Sequence, residues 1–209
     1  MDKDELRLQR RREYLQRKKE FKRKTWSFVI GVTILFSAFL AFFVMQQETV
    51  QRTFMFPYYY REIVQESCRT NHVDEFIVAA VIKTESNFKN NAKSHHGAVG
   101  LMQLMPETAS WIAQELDDKN YSVDELNEPQ KNIEYGSWYL AQLMKEFKGN
   151  KILSLAAYNA GRGNVADWME KYGWGYDFAD VTKIPFKETE LYVKSVLRYE
   201  RKYRQLYRN

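Results

Sequence analysis

Apolar residues are distributed along this chain in two distinct ways. Across residues 26–45 they run for 20 positions without a charge, WSFVIGVTILFSAFLAFFVM. That is about the length needed to cross the hydrocarbon core of a bilayer. From Pro57 onward they recur at helical spacing instead. The segment that starts near Pro129 shows it best. Ile133, Gly136, Leu140, Leu143, Met144 and Phe147 fall on one face at i, i+3, i+4, i+7 intervals. The pattern predicts helices over 58–70, 74–86, 106–116, from 129, and over 151–158, 164–172 and 188–207. Asp74 suits an N-cap, Pro106 a first helical position with Glu107 in the first turn, and Asn159-Ala160-Gly161 a helix stop. No period-2 strand, hairpin signature or internal repeat stands out. The expected class is all-α, with room for a minor β element in the loop 94–104.

Charge divides the chain at the same place. Residues 1–25 hold 11 Lys/Arg against 5 Asp/Glu, and the remaining chain holds 21 against 22. The formal net charge of +5 therefore belongs to the N-terminal tail. Nucleic-acid binding by the main domain has no electrostatic support. The basic residues before the apolar run place the N-terminus in the cytoplasm by the positive-inside rule, and everything after Met45 outside. A cleavable signal peptide is the competing reading. It needs a shorter apolar core and a small-x-small site, and Phe42-Phe43-Val44-Met45-Gln46-Gln47 offers none. The expected organisation is a basic tail over 1–25, a transmembrane signal anchor over 26–45, a short tether over 46–56 and an outer domain over 57–209. The tail could be helical and touch anionic headgroups. The tether reaches roughly 35 Å when fully extended, which keeps the outer domain close to its membrane.

A single cysteine, Cys68, rules out an internal disulfide and a multi-Cys metal site. None of the three histidines has the i, i+4 spacing of a zinc helix. No metal and no cofactor is expected. Four segments carry candidate chemistry. Glu85-Ser86 closes the apolar helix that begins at Phe76, where partial desolvation raises a carboxyl pKa toward the range of a general acid. Gly97 to Gln103 combines two glycines with an amide, allowing close backbone approach. Ala157-Tyr158-Asn159-Ala160-Gly161 places a phenol and an amide at a turn. Ile184 to Thr189 precedes Tyr192 by one helical turn. Each segment alone also fits a bland account, as a solvated helix end, an ordinary loop or a helix cap.

Together the segments resemble the catalytic domain of the soluble lytic transglycosylases, a lysozyme-like fold that cleaves peptidoglycan glycan strands. The matching pieces are Glu85-Ser86, Gly100-Leu101-Met102-Gln103 with Pro106, Ala157-Tyr158-Asn159-Ala160-Gly161, and Glu188-Thr189 with Tyr192-Val193. They span about residues 57–207 in the family's order, and the small membrane-anchored members look most similar. The resemblance implies that Glu85 is the catalytic acid and then base, and that the product carries a 1,6-anhydro-N-acetylmuramic acid end. It implies a substrate groove lined by Ser86, Met102, Gln103, Tyr158, Asn159, Glu188 and Tyr192, with Met102 packed beside the acid. It also implies partners in glycan strands, and in cell-wall synthesis, division or secretion machinery.

The residues themselves offer one good candidate acid. Glycosidases ordinarily place two carboxyls about 5–10 Å apart. Asp74 and Glu75 lie about 15 Å away along the same helix, and Glu188 can approach only through the fold. A hydrolase of the goose-lysozyme type is the nearest rival. An inactive glycan-binding scaffold and a membrane-tethered interaction module are the other two.

The topology is testable. Protease added to intact cells stripped of wall is expected to degrade 57–209 and spare the basic tail, read by antibodies to each end. A protected outer domain would reverse the orientation, and a free one recovered from normal cells would favour a processed signal.

Overall fold

A computed structural model describes residues 3–208 of the 209. The chain divides into two units at the Met55–Phe56 junction. The first unit is dominated by helix α1, Lys3–Met45, which runs from the basic tail through the apolar run without a break. Its stretch Leu6–Met45 is long and apolar enough to cross a membrane. Large apolar side chains stand exposed along it, Phe28 and Leu35 at 72% each. Water penalises such a surface and lipid does not. Thr33 in this stretch donates its hydroxyl to the Val29 carbonyl, which pairs that donor within the helix. The tether is coiled rather than extended. A helical turn α2, Glu48–Val50, leads into a π-helical turn, Gln51–Met55.

The second unit holds seven helices among the described residues: α3 Arg61–Asn71, α4 Glu75–Glu85, α5 Pro106–Glu115, α6 Pro129–Glu146, α7 Lys151–Ala160, α8 Arg162–Tyr172 and α9 Lys187–Tyr207. Short 3-10 turns, Val123–Asn127 and Val181–Lys183, were not foreseen from the pattern. The first helix starts three residues later than expected. Tyr60 adopts a left-handed φ of 56°, and Tyr58 is drawn off the helix axis into an edge-on aromatic cluster with Phe88, Tyr203 and Tyr207. No strand forms among the described residues. The minor β element is two isolated antiparallel bridges, Lys93 with Val99 and Val99 with Leu104.

Helix α4 is the buried axis of this unit. Phe76 through Ile82 are all buried, so it is apolar on every side and must be surrounded. It packs most extensively against α9. The two run antiparallel. Asp74 caps the start of α4 through the Phe76 amide at 2.8 Å and meets Arg204 near the end of α9 at 2.6 Å. Helices α6 and α7 complete the shell, with Leu140, Leu143, Leu153 and Leu155 buried.

A side chain from α6 fixes the loop 97–104. Asn132 is fully buried. It accepts the Met102 amide at 2.8 Å and donates to the Val99 and Leu126 carbonyls at 2.9 Å each. Two glycines make room for this. A Cβ on Gly100 would stand 2.1 Å from Asn132 Nδ2, and φ there is +82°. A Cβ on Gly136 would stand 2.3 Å from Met102 Sδ.

Asn132→Ala is expected to leave the Met102 amide and the Leu126 carbonyl buried without partners, while the Val99 carbonyl keeps only the Leu104 amide. The cost should be about 3 kcal/mol, seen as a melting temperature lower by roughly 10 °C. Thermal denaturation followed by circular dichroism checks it.

Candidate active site

Glu85 is the last residue of α4 and Ser86 its C-cap. The buried helix behind it delivers the carboxyl to the edge of the core. Burial there pushes the Glu85 pKa up to about 7. The Tyr192 phenol faces the carboxyl and pulls the other way, and the charge of Glu188 adds to the rise. Both partners come from the start of α9, which the antiparallel packing brings to the end of α4. Glu188 is exposed in the first turn of α9. The Tyr192 ring is buried, and its hydroxyl makes no hydrogen bond of ordinary geometry. It is a donor that faces the acid.

Tyr158, on α7, has its hydroxyl in the same pocket. It donates to the Met102 carbonyl at 2.8 Å. Burial and the nearby Glu85 charge raise its pKa well above the ordinary phenol value. Asn159 follows it in the last turn of α7, half-buried, and its amide bonds no side chain or carbonyl among the described residues. Tyr139 of α6 lies against Tyr158 with ring centroids 5.5 Å apart.

Three expected groove residues have other occupations. Met102 is fully buried against Gly136 and has no surface to offer a glycan. The expectation that it lines the groove is corrected: it packs inside. Ser86 is also buried, and its hydroxyl donates to the Leu101 carbonyl at 2.8 Å and to Ile82 at 3.1 Å. It ties the end of α4 to the loop 97–104. Gln103 spends its amide NH2 on the Ala92 and Gly100 carbonyls at 3.0 and 2.9 Å, which leaves Oε1 for any ligand. Backbone strain gathers in the same region. Asn87, Phe88 and Gln103 all hold left-handed φ values, 52°, 62° and 48°, without being glycine.

Among the described residues no three metal-ligating side chains come together. The arrangement is a lone desolvated carboxyl, poised to give and take a proton near neutrality, under two phenols and beside one exposed carboxylate.

The model of the transglycosylase SLT domain matches residues 62–180. This chain belongs to the transglycosylase SLT domain family. The soluble lytic murein transglycosylase of Escherichia coli K12 is 37% identical over 151 residues, covering 71% of this chain and 23% of that one. The membrane-bound lytic murein transglycosylase C of Cronobacter sakazakii is 34% identical over 115 residues, covering 51% and 32%. Among solved structures, the lytic transglycosylase Slt of Pseudomonas aeruginosa, an inactive glutamate-to-glutamine mutant, superposes with a TM-score of 0.67 at 33% identity. It covers 75% of this chain and 25% of that one. The 70 kDa soluble lytic transglycosylase of Escherichia coli gives 0.67 at 35% identity, covering 72% and 25%. The chain thus spans about a quarter of the soluble relatives it matches. The all-α, lysozyme-like class expected from the sequence is the fold of this SLT domain.

Sequence reasoning missed Asn132 and Tyr139. A signal existed for the first. Asn132 stands four residues before Gly136 on the apolar face of α6, where a polar side chain needs a buried partner. Tyr139 carried none, since one aromatic among 14 tyrosines does not single itself out.

The raised pKa has a consequence for stability. Between about pH 4.5 and 7 the folded SLT domain holds a proton on Glu85 that the unfolded chain has released. Stability from this group is therefore undiminished below the ordinary carboxylate range and falls as pH rises toward 7. Glu85→Gln is expected to be stabilising at pH 8 by on the order of 2 kcal/mol and nearly neutral at pH 4. Denaturant melts of both proteins at the two pH values check the sign.

Proposed function

We propose that this chain is a membrane-anchored peptidoglycan lytic transglycosylase. It cleaves the β-1,4 bond between N-acetylmuramic acid and N-acetylglucosamine and leaves a 1,6-anhydro end. Residues 1–25 form the cytoplasmic tail, 26–45 the single-pass anchor, 46–56 the tether and 57–209 the extracytoplasmic catalytic domain. The observation that carries the reading is Glu85, a half-buried carboxyl at the edge of the core whose pKa desolvation raises to about 7, in a family of lytic transglycosylases. The exposed apolar helix and the membrane-bound relative support the anchor.

In the proposed reaction protonated Glu85 gives its proton to the bridging oxygen as the bond to C1 breaks. The same carboxylate then removes the proton of the muramic C6 hydroxyl, which attacks C1. One proton leaves and one returns, and no water is consumed. Burial suits both halves, because a carboxyl pKa near the working pH makes the group a serviceable acid and base. Tyr192, with its unpaired hydroxyl, is positioned to donate to the carboxylate once it has lost its proton. Asn159 and Gln103 Oε1 are the polar groups left to meet sugar amides and hydroxyls. Ser86, Met102 and Tyr158 hold the loop and the acid in place. The C6 hydroxyl has the advantage of proximity over an untethered nucleophile.

One observation favours the hydrolytic alternative. Glu188 lies close enough for its charge to act on Glu85, so a second carboxylate is at hand to activate water. The products separate the two readings. Reaction in oxygen-18 water followed by mass spectrometry is expected to give anhydro-muropeptides, one water lighter than the reducing species, without label at the cleavage point. Labelled reducing ends as the main product would make the chain a muramidase. In either case Glu85→Gln is expected to lower turnover of purified peptidoglycan at least about 100-fold with the fold intact. Near-normal activity in that folded variant overturns the assignment of Glu85.

A further inference from the structure

We propose that the outer face of α9 docks on the anionic lipid headgroups of the membrane to which the chain is tethered. The proposal rests on the anchor reading and goes beyond the reaction.

Lys187, Lys194, Arg198, Arg201 and Arg208 are all exposed. They recur at intervals of seven, four, three and seven residues, which places them within a sector of about 80° on a helix. The row is about 30 Å long. The residues of α9 that face the core, Tyr192, Val193, Val196 and Tyr203, lie on other sides. The row is not balanced by exposed acids of the same helix face. Glu190 is buried and held between Lys187 and Lys194, and Glu200 is buried and held by Lys151 and Arg204. Arg198 and Arg201 form no ion pair among the described residues; Arg198 rests on the Tyr199 ring at 5.0 Å. The chain beyond residue 25 is close to neutral, so this concentration of one sign on one face is local. Beside it opens a hollow of about 660 Å³ lined by Lys151, Leu191, Lys194, Arg198 and Arg201, with the exposed Leu191 at its edge.

The point of entry of the chain argues for lipid as the occupant. Tyr203 donates its hydroxyl to the Pro57 carbonyl at 3.0 Å and Tyr207 donates to the Phe56 carbonyl at 2.9 Å. The Phe56 ring lies edge-on to Tyr199 and Tyr203. The first residues of the outer domain are thus pinned to α9 itself. Tyr59, at that entry, is 55% exposed, an amphipathic ring of the kind that suits a headgroup layer. A tether with a limit of roughly 35 Å keeps this end of α9 within reach of the bilayer at all times. Cations close to an anionic leaflet are attracted over about a Debye length. Glu188 and Tyr192 lie roughly 120–160° round the helix from the centre of the row, so docking leaves the acid and its groove uncovered.

The test uses the full chain reconstituted in vesicles. Gln205→Cys places a fluorophore on the same face, since Gln205 is exposed and the native Cys68 is buried. Quenching by a headgroup-labelled lipid reports contact. Vesicles of phosphatidylcholine with phosphatidylglycerol are expected to quench strongly, and pure phosphatidylcholine weakly. High salt, and the double variant Arg198→Gln/Arg201→Gln, are each expected to lower the docked fraction, the variant by about tenfold, with an unchanged melting temperature and unchanged activity on soluble wall fragments. Equal quenching in both lipids, or no effect of the double variant, overturns the docking surface. So does release by soluble polyphosphate without any dependence on lipid charge, which would point to an anionic wall polymer instead. A full chain that fails to float with either vesicle overturns the anchor, and the docking with it.

Discussion

Everything around Glu85 answers to the cost of holding an ionisable carboxyl where water is scarce. Helix α4 is buried from Phe76 to Ile82, so its final residue emerges at the edge of the core and not on a solvated face. Desolvation is the largest influence on the group. The end of a helix is also its negative pole, which disfavours a carboxylate in its last turn. A single well-made hydrogen bond from a phenol would undo much of this by stabilising the anion. Only part of it is supplied. Tyr158 donates to the Met102 carbonyl, and the Tyr192 phenol offsets some of the rise. The acid stays near neutrality because desolvation outweighs what Tyr192 returns.

That engagement depends on the loop 97–104 being held to tight tolerance. Its carbonyls and amides have partners in Asn132, Ser86, Gln103 and Tyr158, drawn from three helices and from the loop itself. In a region of low dielectric such bonds reinforce one another, and a missing partner costs more than the bond was worth. Gly100 and Gly136 belong to the same arrangement, for they allow α6 to approach the loop where any Cβ would collide. The left-handed turn at Asn87 and Phe88 is tolerated because Phe88 is buried among Tyr58, Tyr59 and Tyr203.

This explains what could be read in the sequence. Apolar periodicity and cap residues show which residues face a core, and they located α4, α5 and α9 to within a residue or two of their observed limits, and the start of α6. Glycines and a carboxyl after an apolar helix marked the region of the site. The direction of a polar side chain is another matter, since it depends on partners distant in sequence. Ser86 at the end of α4 and Met102 and Gln103 in the loop sit in the right region, yet each faces inward to Leu101, Gly136 or Ala92. Asn132 lies 30 residues from the amide it accepts. Tyr58 left its helix because aromatic partners from the far end of the chain outweigh one more turn. Helical propensity, a matter of tenths of a kcal/mol per residue, cannot compete with that.

The antiparallel pairing of α4 and α9 joins these observations. At one end, Asp74 caps α4 and meets Arg204, and burial near this pair also keeps Arg204 on Glu200. Tyr203 and Tyr207, which flank Arg204 in α9, hold the Pro57 and Phe56 carbonyls, so the entry of the chain is fixed at the same end. At the other end, Glu85 faces the first turns of α9, where the positive pole of that helix favours the negative charge of Glu188. The two carboxyls therefore stand at opposite poles of neighbouring helices. The one at the negative pole is half-buried and tends to hold its proton; the one at the positive pole is exposed. Helix α9 thus joins the two ends of α4, holding the entry of the chain at one and facing the acid at the other.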